Sequence, residues 1–110
     1  MRDIIDVRGA SGAVYRFNLL REGRPLSPMG GNFLYAREAG ERYEVVHVGE
    51  CQNLLTGARA LWNEAVRDHG ATHLFTRLNI TERVRAQEHA DIVEAVRPPM
   101  NPASAEAGAA

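Results

Sequence analysis

Between residues 53 and 68 the apolar positions Leu54, Leu55, Ala58, Leu61, Trp62, Ala65 and Val66 recur at spacings of three and four, the repeat of an amphipathic helix. That helix should end near Gly70. Residues 3–8 and 13–20 read as strands around the turn Gly9-Ala10-Ser11-Gly12, an opening hairpin. The stretch 21–30, with Pro25, Pro28 and paired glycines at its end, is a connecting loop. Two more strand-like runs, 31–37 and 43–49, flank the glycine-containing 38–42 and predict a second hairpin. Residues 72–78 alternate as a further strand, after which Asn79-Ile80-Thr81-Glu82 resembles a capping box that opens a last helix. This helix must stop before Pro98-Pro99, and the small-residue stretch 102–110 reads as a mobile tail.

The last helix carries an acidic residue where an apolar one is expected. With Val84 as origin and about 100° per residue, Glu88, Ile92 and Ala95 fall in one narrow sector, with Asp91 at its edge. Glutamate is almost never fully buried unless paired. An arginine, a cation or a wet cleft must therefore lie where that face points.

Composition narrows the classes. A chain of 110 residues fits one small domain. Its 13 basic residues, all arginine, stand against 14 acidic ones for a formal charge of −1, so it presents no global field for nucleic acid. The absence of lysine, together with abundant alanine, reads as genome composition. Cys51 is the single cysteine, which excludes an internal disulfide, and no apolar run is long enough for a membrane helix. With no secretory signal visible, a soluble cytoplasmic protein is the expectation.

Several of these residues converge on one layout. From Gly31 to Asn101, about two thirds of the chain, the sequence resembles the GIY-YIG nuclease domain. The resemblance rests on Gly31-Asn32-Phe33, on His47-Val48-Gly49, on Asn53-Leu54 after it, on Glu88 in the closing helix, and on Pro98-Pro99-Met100-Asn101 at its end. It implies a small α/β (α+β) domain, mainly an antiparallel sheet of hairpins flanked by helices, here with an extra N-terminal hairpin. It also implies phosphodiester hydrolysis on DNA with one divalent cation, Mg²⁺ or Mn²⁺, held by Glu88. Tyr35 or His47 would orient or deprotonate water, and Asn101 would steady the site.

The chain also departs from that pattern. The first tyrosine position reads Phe33, although Tyr35 two residues on shares its strand face; the second reads His47, whose imidazole can accept a proton near neutral pH. The family's helix arginine falls on Gly57, which has no side chain. Arg59 lies two residues further, about 200° around a helix. Losing a cation aimed at transition-state charge typically costs catalysis a factor of hundreds or more. The chemistry is accordingly expected to be weak or lost.

Phe33, Arg59 and Asn63 are the candidate substrate contacts, the last two in a stripe Arg59, Asn63, Arg67 that either tracks phosphates or is a solvated face. Plainer readings stand beside these. Glu88 can simply pair with an arginine such as Arg37 or Arg59, His47 can be a strand residue, Phe33 a core residue, and Asn101 a turn residue bonding backbone groups. His69, His73 and His89 show no ligand spacing and read as unrelated. Two functions follow: a divergent nuclease, or a non-catalytic module that binds nucleic acid or a protein through the old cleft.

Overall fold

Both predicted hairpins form, and a fifth strand joins them. The computed structural model describes residues 3–101; the expected tail, 102–110, lies outside them. In chain order the elements are β1 (Ile4–Arg8), β2 (Val14–Leu19), β3 (Gly31–Ala39), β4 (Arg42–Cys51), α1 (Leu54–Gly57), α2 (Trp62–His69), β5 (His73–Leu78) and α3 (Glu82–Val96). All pairings are antiparallel, in the order β1-β2-β5-β3-β4. The expected α+β architecture is present, and the extra hairpin extends the sheet by covering the edge of β5.

Alternation of side chains across the strands divides the core in two. Phe33, Tyr35 and Leu74 pack with Leu54, Ala58 and Ala65 on the side of α1 and α2. On the other side, Phe17, Leu34, Ala36, Val48 and Phe75 lie under Ile92 of α3. Full burial of Leu34 or Phe75 is worth roughly 1.5–3 kcal/mol each. A bulge at Tyr35/Ala36 pairs these residues with His47 and Val45, leaving Val46 as the extra residue. It turns both Val46 and His47 toward α1 and α2, where the His47 ring lies 5.1 Å from that of Tyr35.

The single helix expected over 53–68 is two helices. Helix ends leave carbonyls and amides without partners, and at this break one side chain serves both. The Tyr35 hydroxyl donates to the Ala58 carbonyl at 2.7 Å and accepts from the Leu61 amide at 3.2 Å. Asn53 caps α1 by accepting from the Thr56 amide at 3.3 Å, and α2 closes on Gly70 at φ 69°. Nothing local to the apolar repeat could reveal a break held by a residue on β3.

Helix α3 ends at Val96, before the prolines as expected, with Arg97 in the left-handed region at φ 49°. Two other expectations fail. Thr81 makes no side-chain cap bond, because the capping box is replaced by Asn79 reaching into the protein. The inward face is also rotated: Arg85, Ile92, Val93 and Val96 are buried or half-buried while Val84 and Ala95 are exposed. Asp91 fastens the first hairpin to this helix, accepting from the Ser11 amide at 2.8 Å, the Ser11 hydroxyl at 2.7 Å and the Tyr15 hydroxyl at 2.6 Å. Gly9 has no room for a side chain there, since a Cβ would meet the Asp91 carboxylate at 2.1 Å.

Candidate functional site

The sequence-predicted residues divide between the two faces of the sheet. Asn32 on β3 lies opposite Glu50 on β4 and Arg77 on β5, so all three side chains face α3. Above them sit Arg85 and Glu88, three residues apart and hence on one side of the helix. Glu88 accepts from Arg77 Nε at 2.9 Å and Asn79 Nδ2 at 2.9 Å through Oε1, and from Arg77 Nη2 at 3.5 Å through Oε2. Its carboxylate is mostly covered, with 16% of the side chain exposed. The partner it required is therefore an arginine, but Arg77 rather than Arg37 or Arg59.

The rest of this cluster is equally occupied. Arg85, 2% exposed, donates to Glu50 at 2.8 Å and to the Asn79 and Ile80 carbonyls at 3.2 and 3.1 Å. Asn32, fully buried, donates to the Arg85 carbonyl at 3.1 Å and accepts from Asn79 at 2.8 Å. Arg77 also lies over the Tyr15 ring, 5.4 Å from its centroid. A buried polar network of this kind is stabilising when each member is satisfied, and here the members satisfy one another.

Phe33, Tyr35 and His47 occupy the opposite face and touch: ring centroids are 5.6 Å apart for Phe33 and Tyr35, and 5.9 Å for Phe33 and His47. Phe33 is core, 5% exposed, and lies so close over Gly49 that a Cβ there would be 2.1 Å from its ring. The Tyr35 hydroxyl is fully committed to the helix break, and burial pushes its pKa up. It is not placed to take a proton from water. Asn101 works as a peptide-like edge cap, accepting from the Val48 amide at 2.7 Å and donating to the Val48 carbonyl at 2.8 Å.

His47 has a neighbour that its sequence spacing did not suggest. Burial lowers the pKa of both His47 and His89, and a charge on His89 lowers that of His47 further, opposed by Asn101 and the Met100 backbone. Glu50 acts on His89 in the opposite sense. The Nδ1 atoms of both rings are buried without a partner among the described residues. His89, on α3, is thus not independent of the predicted site: its charge bears on His47.

The phosphate-facing positions fare similarly. At Gly57 a Cβ would lie 3.0 Å from Cys51 Cβ and 3.1 Å from its sulfur, so Cys51 occupies the space that a longer residue needs. Arg59 lies in the break between α1 and α2, and the stripe with Asn63 and Arg67 is not one helical face. All three are exposed, and Arg67 pairs with Asp68 at 2.9 Å. Among the described residues no three His, Cys, Asp or Glu side chains group as metal ligands, and Glu88 does not fit the role because its oxygens already accept from Arg77 and Asn79. Among the described residues no helix is long and apolar enough to cross a membrane.

The residues missed by sequence reasoning were Asn32, Glu50, Arg77, Arg85 and His89. One signal was available. Arg77 lies two residues beyond the apolar Phe75 and so shares its face, which places a guanidinium under the closing helix. Compared with family models, curated proteins and solved structures, the chain matches none of them.

Proposed function

We propose that this chain is a binding module of GIY-YIG-like layout that does not hydrolyse phosphodiesters. The reading is carried by the Glu88 carboxylate, which Arg77 and Asn79 hold on the sheet face away from His47. A cation at this carboxylate would meet the Arg77 guanidinium already seated on both its oxygens, like charge against like. The Gly57 position and the engaged Tyr35 hydroxyl point the same way.

A protein partner suits the surface better than DNA. Arg8, Arg24, Arg42, Arg59, Arg83 and Arg97 make no ion pair among the described residues. They are not gathered into one patch. Arg8 and Arg42 border a groove with Asp6 and Glu41, Arg24 a hollow with Asp3 and Glu22, and Arg97 one with Glu44 and Asp68. Carboxylates are interspersed at each place, so the arginines do not join into the continuous positive surface that phosphate contacts require.

The test is nicking of supercoiled plasmid by the purified protein in Mg²⁺ or Mn²⁺. No nicking above a buffer blank is expected. Metal-dependent nicking that disappears in Glu88→Ala, with the variant still folded, would restore the nuclease reading.

A further inference from the structure

The sheet begins and ends on strands that do not pair with each other, yet both border one groove. Ile5, Asp6, Val7 and Arg8 of β1 form one bank, and Arg42, Tyr43 and Val45 of β4, with Glu41 from the preceding turn, form the other. We propose that this gap takes up an extended segment of a partner protein, added as a strand beside β1, with apolar residues at alternate positions and a carboxylate for Arg8 and Arg42.

Main-chain chemistry supplies the first reason. Asp3 and Gly9 bond toward β2, through Leu19 N to Asp3 O at 2.7 Å and Gly9 N to Ala13 O at 2.8 Å. The two-residue repeat of an antiparallel ladder sends Ile5 and Val7 the same way. The N–H and C=O groups of Ile4, Asp6 and Arg8 consequently point outward from the sheet. On the other bank the closing segment covers the edge of β4 at Val46 and Val48, through Met100 N to Val46 O at 3.0 Å and the Asn101 side chain on Val48. The stretch from Arg42 to Val45 precedes that cover.

Side chains supply the second. Ile5, Val7, Tyr43 and Val45 make an apolar floor, most of it half-buried, which suits a strand whose alternate residues point inward. Charge supplies the third. Asp6 is neutralised by Arg16 at 3.0 Å, whereas Arg8 and Arg42 have no carboxylate partner among the described residues, leaving Glu41 as the one opposing charge on the rim. The balance favours an acidic partner. Charges on an edge strand also discourage indiscriminate pairing between sheets, and a purely protective role predicts no binding at all.

Selection of a phage-displayed library of random short peptides on the immobilised protein tests this. Enriched peptides should alternate apolar and other residues and carry an acid, and their synthetic versions should shift the amide resonances of Ile4, Asp6, Arg8 and Tyr43. Asp6→Pro removes an outward N–H without touching the β1–β2 ladder and should weaken binding about tenfold, roughly one main-chain hydrogen bond. Asp6→Asn, which keeps that N–H, should bind like the wild type, and Arg42→Glu should abolish the preference for acid. If Asp6→Pro does not fold, N-methylation of alternate peptide amides interrogates the same bonds from the ligand side. Binding that survives both changes, resonance shifts elsewhere, or no peptide with Kd below about 1 mM overturns the proposal. The plasmid assay is independent, so nicking activity would end the preceding reading and leave this one standing.

Discussion

The two faces of the sheet treat their polar groups in opposite ways. Under α3, the carboxylates, guanidiniums and carboxamides of Asn32, Glu50, Arg77, Asn79, Arg85 and Glu88 bond to one another. Under α1 and α2, the cluster is aromatic and includes His47, whose buried Nδ1 has no partner among the described residues; the same holds for His89 Nδ1 on α3 and for the Tyr43 hydroxyl at the edge of the α3-side core. Charge at a buried position resembles a reactive site in sequence, but reactivity depends on lone pairs left over after folding. By that measure the charged network is structural, and the unspent valence lies outside it, at His47, His89 and Tyr43.

The largest way to break this contrast is Arg85→Ala. It removes charge-assisted bonds to Glu50 and to the Asn79 and Ile80 carbonyls at an almost fully buried position; with Glu50 itself 32% exposed and so screened by solvent, about 3 kcal/mol should be lost. Urea unfolding should show that loss, with most of it absent in Arg83→Ala on the exposed side of the same helix. Equal effects at the two positions would mean that the network adds little.

Glu88→Gln comes next. It keeps the shape but weakens the charge-assisted bonds from Arg77, and roughly 2 kcal/mol should be lost. A metal-ligand role predicts a different outcome: stability nearly unchanged in the absence of metal, and a loss of any metal-induced rise in melting temperature. Thermal melts with and without Mg²⁺ separate the two.

His47 and His89, outside that network, should respond to pH. Both histidines have folded-state pKa values below the ordinary 6.5, so the unfolded chain binds protons that the folded chain refuses. Above 6.5 neither state is charged and nothing is lost; as pH falls below it, stability declines until the folded-state values are reached. The ceiling is about 1.4 kcal/mol per pH unit for each histidine. His47→Gln with His89→Gln should flatten the curve between pH 6.5 and the onset of carboxylate protonation, about pH 5, and an unchanged slope would refute the assignment.

How much was legible follows from the range of the interactions. Hairpins announce themselves through turn glycines and local alternation, and β5 and the end of α3 at Pro98 are equally local. That Phe33, Tyr35 and His47 lie together is of the same kind, since register within one hairpin needs no distant information. What failed was long-range. The wheel origin at Val84 misjudged the inward face because Arg85 can be buried only where Glu50, from another strand, receives it. Asn79 looked like part of a cap because its real partners, Asn32 and Glu88, are not its neighbours in sequence.

The smallest effect concerns Tyr35, where the two faces differ least in appearance and most in meaning. Its hydroxyl joins two helix ends, so Tyr35→Phe leaves the Ala58 carbonyl and Leu61 amide short of one bond each while the ring still fills its place. About 1 kcal/mol should be lost, and amide exchange at Leu61 should quicken more than at Phe75 in the sheet centre. Because the break between α1 and α2 depends on that oxygen, the variant should also shift toward a continuous helix over 54–69, read as altered backbone shifts at Arg59 and Ala60. Unchanged exchange at Leu61 would show that the break has another cause and would return the hydroxyl to the pool of groups free for chemistry.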